Sequence, residues 1–389
     1  MAKKVVVYEM WAPSWPNLAE MTKHLSRIAS LGITHVWLSG DLEYPWYDQD
    51  QDQDTPNRKK YLKELNGFVH RAHHLGMKVI IDLVLNHTST SHSWFRQHPE
   101  RYCWSDRPGW TNILNGRSAW KYDAKRKKYY LSLLRDDQAD LCWFFEGNLN
   151  QDLVSAFQKI IHFWIKRKVD GFCIDFPQGL NKDLDSPSLK MNDLVFGDRD
   201  DQVINALFPD KDQAPFLMME CFDPTNGELV NHYVDETPIQ YVMNAYVRSS
   251  ADMGEYSFLK SAHQNEEVYG FMLNTEGHNA PRFTQRCRLT TTDALWHLFN
   301  TQARAVCLYQ GQELGLTSSR YLDSITHELR TPNTQVSLST AFFSDGIIRT
   351  TPCANARESI PLGEYHEQML ATNSSYKYTR ELIARYYRL

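Results

Sequence analysis

Short apolar runs alternate with amphipathic stretches along most of this chain, and that alternation limits the folds open to it. The first apolar run is Val5–Tyr8, closed by Glu9. Leu18, Met21, Leu25, Ile28 and Ala29 then share one helical stripe, with Gly32 as its stop signal. Thr34–Leu38 reads as a second strand. A second helical stripe runs from Tyr61 to Leu75, Gly76 ends it, and Lys78–Leu85 is a third strand. Gly171–Ile174, Phe216–Met219, Ile239–Val242, Tyr269–Leu273 and Ala305–Tyr309 follow. Eight buried strands separated by helical or loop segments predict an α/β chain, a (β/α)8 TIM barrel. A doubly wound open sheet shares this periodicity, so spacing alone favours the barrel only in part.

The stretch between Leu85 and Gly171 is too long for one crossover helix, and its first part is rich in Trp, Tyr, Gly and Asn. An inserted subdomain after strand 3 is therefore expected over 88–147, with the barrel built from 1–87 and 148–389. A helix is expected over Asp152–Lys168. The chain closes with the helical stretch Tyr376–Arg385, so no C-terminal β-sandwich is expected.

Composition narrows the function. Hydrophobic residues make up 42% and charged residues 23%, enough for a large core and unlike a disordered chain. Lys and Arg total 42 against 47 Asp and Glu, so no basic face invites nucleic acid. The N-terminal apolar run is too short for a signal peptide, and no stretch approaches a membrane span. The seven cysteines lack paired C-x-x-C spacing and read as thiols of a reducing, cytoplasmic compartment. The 13% aromatic content suits sugar stacking and large cores alike.

In a barrel, chemistry sits at the carboxyl ends of strands. The third strand leads through Asp82 into Asn86 and His87, the fourth ends at Asp175, and the fifth ends at Glu220. Two carboxylates on neighbouring strand ends approach to about 5 Å, the separation at which one attacks an anomeric carbon and the other protonates the leaving oxygen. A single Asp at such a place is commonly a helix cap. Two carboxylates with a histidine are harder to explain that way.

Three stretches carry a family resemblance: Asp82 to His87, Asp170 to Asp175, and Met219-Glu220. They resemble the first three conserved regions of the α-amylase family, glycoside hydrolase family 13. Asn86-His87-Thr88-Ser89 with Trp94-Phe95, Ser118 to Asp123, Gln138 to Leu141, Tyr309 to Gly315 and Tyr378 to Ile383 resemble its α-glucosidase and oligo-1,6-glucosidase branch. The resemblance implies a retaining mechanism on α-glucosidic bonds. It makes Asp175 the nucleophile and Glu220 the general acid/base. His87 then binds the sugar's hydroxymethyl group, while Tyr47 and Asp48 stack on and grip the terminal glucose. Arg349 resembles the arginine that pairs with that Asp. No cofactor is implied.

Two departures bear on activity. The family arginine two residues before the nucleophile is Cys173 here, which removes a charge-assisted orienter of Asp175. The fourth region reads Asn274 to Arg282. Anchored on Pro281 and Arg282, it keeps His278 and puts Asn279 in place of the catalytic Asp; anchored on the strand end, it offers Glu276. Asp48, Asp50, Asp52 and Asp54 alternate, but Gln53 and Lys59 stand where a calcium loop needs Gly and Glu, so no metal site is expected. The expected partner is a short oligosaccharide or α-glucoside, handled by a hydrolase or transglycosidase. The alternative is an impaired amylase-like barrel kept for sugar binding or protein assembly.

Overall fold

Eight strands form a closed parallel barrel: β1 (Val5–Trp11), β2 (His35–Ser39), β3 (Lys78–Val84), β4 (Gly171–Asp175), β5 (Phe216–Cys221), β6 (Tyr241–Asn244), β7 (Phe271–Asn274) and β8 (Ala305–Tyr309). Each pairs with its neighbour in sequence, and β8 returns to β1. This computed structural model describes residues 4–12, 15, 17–40, 56–106, 118–182, 199–221, 227–244, 270–278, 291–300, 303–314, 321–322, 328–331, 334–337 and 374–388.

The period-2 alternation of each strand sorts its side chains into two cores. Val7, Trp37, Ile80, Cys173, Met218, Met243, Met272 and the pair Ala305 and Cys307 fill the lumen, so every strand contributes. The residues between them, such as Val6, Val36, Ile81, Phe172, Leu217 and Val306, face outward into the larger core under the helices. Gly171 is required at the base of β4, because a Cβ there would lie 2.1 Å from the Phe216 carbonyl oxygen.

Helices α1 (Leu18–Ser30), α2 (Pro56–His74), α3 (Gln151–Lys166), α4 (Asp200–Leu207), α5 (Gly227–Glu236), α6 (Thr291–Phe299) and α7 (Ser374–Tyr386) accompany the strands. The Asn17 side chain caps α1 by accepting the Glu20 N–H at 2.9 Å, and Gly32 follows the helix with φ +97°. α7 closes the barrel's outer layer through Tyr386, whose hydroxyl donates to the Ala303 carbonyl at 2.7 Å. No described helix is long and apolar enough to cross a membrane.

Several element boundaries differ from the sequence reading. β1 does not stop at Glu9 but runs to Trp11, with Glu9 fully buried. Glu9 has the parity of Val7, and polar partners inside the barrel mouth receive it. His87, beyond the expected end of the third strand at Leu85, opens a short strand, His87–Ser89, that pairs antiparallel with Gln138–Asp140. Helix α2 also begins earlier than Tyr61, at Pro56.

Outside the barrel, Trp104–Ser105, Trp120–Asp123 and Lys128–Leu131 form a three-stranded sheet. Arg101 ties this layer to α3: its guanidinium bonds Asp152 at 2.6 Å and lies over the Trp94 ring at 4.2 Å. No disulfide joins the described cysteines. Cys103 and Cys142 are hydrogen-bonded, and that bond, with Lys182 nearby, brings the Cys142 thiol down to about 7 against the desolvation that opposes it. Cys142 also lines a cavity of about 710 Å³ with Tyr102, Trp104 and Phe145. Iodoacetamide at pH 7.5 is therefore expected to label Cys142 at least about tenfold faster than Cys173, Cys221 or Cys307. Peptide mapping by mass spectrometry checks the order.

Candidate active site

Two residues beyond the apolar lumen layer, the same strand faces become polar. Glu9, Ser39, Asp82, Asp175, Glu220, Asn274 and Tyr309 stand two positions after Val7, Trp37, Ile80, Cys173, Met218, Met272 and Cys307. A hydrophobic plug thus carries a polar ring at the carboxyl ends of the strands, where a (β/α)8 barrel holds its chemistry.

Cys173 pairs in register with Met218, so the ladder two residues on sets Asp175 beside Glu220, on strands about 4.8 Å apart. Glu220 is buried, whereas Asp175 is partly exposed. Immediately after Asp175, Phe176 adopts a left-handed conformation, φ 45° and ψ 56°, which costs a non-glycine residue about 1–2 kcal/mol. Burial of the Phe176 ring among Trp120, Leu131 and Leu133 offsets that strain and fixes the direction in which the chain leaves the strand. Gly179 is needed in the same turn, since a Cβ there would meet Asn86 Oδ1 at 2.4 Å.

Asp82 completes one side of the ring. The Trp37 indole N–H donates to its Oδ1 at 2.6 Å and the Gly40 N–H to its Oδ2 at 2.7 Å. Burial pushes its carboxyl well above the ordinary range and Asp175 adds to the rise, while Gly40, His278 and Trp37 favour the anion. Cys173 is the register partner of Asp82 and is buried among apolar lumen neighbours.

His278 enters from the segment after β7. Its Nδ1 lies 2.5 Å from Glu9 Oε1, and Trp11 stacks on it with centroids 4.2 Å apart and planes 8° apart. The base of that segment is fixed by Gln312, whose Nε2 donates to Thr275 Oγ1 at 2.6 Å. Glu276 is buried. The Asn274 amide is also buried, and among the described residues neither its oxygen nor its nitrogen has a hydrogen-bond partner. An amide left so costs about 1–3 kcal/mol, a penalty that a bound hydroxyl would relieve.

His87 sits where the inserted layer meets the barrel. Its Nδ1 is 3.3 Å from the Asn86 side-chain nitrogen and accepts from it, which puts the ring proton on Nε2 as a donor. Burial lowers its pKa to about 3, helped by Lys182 and Arg135. The imidazole is neutral at ordinary pH. Its folded value lies below the unfolded one, so the unfolded chain binds the extra proton between about pH 6.5 and pH 3. Stability falls as pH drops through that window. Relative to His87→Asn, the natural protein is expected to lose about 2 kcal/mol more between pH 6.5 and pH 4.5, read from urea midpoints.

The structure thus brings Asp175, Glu220 and His278 to one barrel mouth, with His87 in the segment leaving β3 and Glu276 just after β7. Tyr47, Asp48, Asn279, Arg282 and Arg349 lie outside the described residues, as does the acidic run from Asp48 to Asp54. Glu9, Ser39 and Asn274 are not among the residues the sequence points to. Their signal is the strand alternation itself, continued one step past the apolar layer.

The profile of the alpha-amylase catalytic domain matches residues 13–351. The chain belongs to the alpha-amylase family. Over 367 residues it is 26% identical to a glucan 1,6-alpha-glucosidase of Streptococcus pneumoniae, covering 80% of this chain and 65% of that protein. It is 35% identical over 209 residues to an alpha-glucosidase of Candida albicans, covering 44% and 35%. This alpha-amylase family chain therefore spans about two thirds or less of the length of such relatives. Among solved structures, trehalose-6-phosphate hydrolase of Bacillus licheniformis superposes with a TM-score of 0.75 at 20% identity, covering 100% of this chain and 84% of that one. Isomaltulose synthase of Klebsiella sp. LX3 gives 0.75 at 17% identity, covering 99% and 84%. At those identities the likeness speaks to the fold alone.

Proposed function

We propose that this protein is a retaining hydrolase or transglycosidase of short α-glucosides, working through a covalent glucosyl intermediate. The observation that carries this reading is the pairing of Asp175 and Glu220 on adjacent strand ends at the barrel mouth. Asp175 attacks the anomeric carbon as Glu220 protonates the departing oxygen. Glu220 then takes a proton from water or an acceptor hydroxyl, which attacks the same carbon and releases Asp175. Two inversions give net retention. His87, as a neutral Nε2 donor, and His278 contact the sugar, together with Tyr47, Asp48, Glu276, Asn279, Arg282 and Arg349.

The named relatives support an α-glucosidic substrate, since they include glucan 1,6-alpha-glucosidase and oligo-1,6-glucosidase. Residues 88–147 serve in this reading as a subdomain that walls the site, anchored where His87 pairs with Asp140 and where Lys182 meets Asp140 at 3.6 Å.

The test is incubation with maltose, isomaltose, sucrose, trehalose and aryl α-glucosides, followed by proton NMR of the anomeric signals. First-formed α-glucose or an α-linked transfer product supports the reading. First-formed β-glucose overturns retention. Sugar binding in calorimetry without product over a day would favour a binding module instead, the reading to which the apolar surroundings of Cys173 lend weight.

A further inference from the structure

Glu9 is a buried carboxylate to which the two-step reaction assigns no task. It is fully buried on β1, in the polar ring, and one of its oxygens has two neighbours at hydrogen-bond distance. His278 Nδ1 lies 2.5 Å from Oε1, and the Ser39 hydroxyl donates to the same atom at 3.0 Å. Trp11, two residues further along β1, lies flat against the same imidazole, and Trp37 of β2 meets its edge at 6.0 Å. The ring is therefore held in its plane by one contact and about its axis by another. A carboxylate accepts, so Nδ1 is the nitrogen that carries the proton. Folding does not demand this arrangement: one step lower on β1, Val7 fills the lumen with hydrocarbon. A buried carboxylate kept in the polar ring and bonded to Nδ1 of this imidazole points to the imidazole's orientation as a purpose.

We propose that Glu9 is a positioning residue for sugar recognition, holding His278 by Nδ1 so that Nε2 meets the hydroxyls of the glucosyl unit bound above Asp175 and Glu220. This rests on the reading of His278 as a sugar contact. Glu9 touches the imidazole, not the sugar, and acts through it.

The experiment compares the full chain with Glu9→Leu, Glu9→Gln, His278→Ala and the double variant Glu9→Leu/His278→Ala. An aryl α-glucoside gives kcat and KM, circular dichroism checks the fold, and ring-nitrogen NMR reports the histidine tautomers. Glu9→Leu is expected to raise KM about tenfold or more with a smaller change in kcat. Glu9→Gln keeps an acceptor at Oε1 and is expected to stay within about threefold of the natural protein. The double variant should be no worse than His278→Ala, because both changes remove the same contact. The resonance lost in His278→Ala identifies His278, and its tautomer is expected to be Nδ1–H. Overturning results are a folded Glu9→Leu with an unchanged KM, additive losses in the double variant, or an Nε2–H tautomer in the natural protein. If Glu9→Leu does not fold, the tautomer of the natural protein decides. If no substrate is turned over, the catalytic reading fails by itself, and the positioning role is judged by a glucose-induced shift of the His278 ring. That shift is expected in the natural protein and lost in Glu9→Leu; its persistence there would end the proposal.

Discussion

Asp175→Asn is expected to lower kcat for an activated aryl α-glucoside by a factor on the order of 10⁴ or more, with little change in thermal stability. The amide matches the carboxylate in shape but is no nucleophile, so the first step loses its attacking atom. Stability is spared for an electrostatic reason: Asp175 helps push the Asp82 carboxyl upward, and removing the charge relieves that repulsion. Glu220→Gln should behave differently. With a dinitrophenyl leaving group the first step needs no acid, so a burst of phenolate precedes slow turnover. Azide attacks the waiting β-linked ester from the opposite face, restores turnover and yields α-glucosyl azide. Turnover by Asp175→Asn at the natural rate would remove Asp175 from the chemistry, and a Glu220→Gln variant with neither burst nor azide rescue would do the same for Glu220.

The barrel was legible because its parity is strict. Val7, Trp37, Ile80 and Met218 alternate with Val6, Val36, Ile81 and Leu217, and both sets are apolar, so each strand reads as an unbroken hydrophobic run. The polar ring was legible where a carboxylate ends a strand, as at Asp175 and Glu220. Glu9 looks like the end of a strand, since a charge after four apolar residues is ordinarily where burial stops. The contacts of His278 and Ser39, far apart in sequence, help make that position habitable for a carboxylate. The end of β7 posed the opposite problem. One alignment of Asn274 to Arg282 keeps His278 and puts Asn279 in place of the Asp; the other offers Glu276 as the carboxylate. The structure buries Glu276 and His278, and the stack and carboxylate that it gives His278 are not encoded in one-dimensional spacing. The absence of the arginine at 173 was plain from sequence. Its packing consequence, an apolar lumen level beside Asp82, needed the register.

Breaking the Arg27–Glu313 pair is expected to cost about 3–5 kcal/mol, the largest stability effect of a single change in this protein. Arg27 comes from α1 and Glu313 from the segment after β8, and both are buried. The Tyr8 hydroxyl donates to the same carboxylate at 2.7 Å, on the outer face of β1. Burial opposes the Arg27 charge, and Tyr8 and Glu313 more than restore it, leaving the guanidinium held above its ordinary value. Arg27→Met would strand the Glu313 charge without its cation. The double variant Arg27→Met/Glu313→Leu replaces both charges with hydrocarbon and is expected to recover to within about 1 kcal/mol of the natural protein in urea midpoints. Activity should not recover in parallel. Glu313 anchors the turn in which Gln312 bonds Thr275 and Gln310 bonds the Trp11 N–H, so the pair holds the carboxyl ends of β7 and β1 where His278 and Trp11 meet. A double variant that is stable yet several-fold raised in KM would show the buried charges serving the site through that turn. A double variant as unstable as the two single changes summed would mean that each residue stabilises the fold independently.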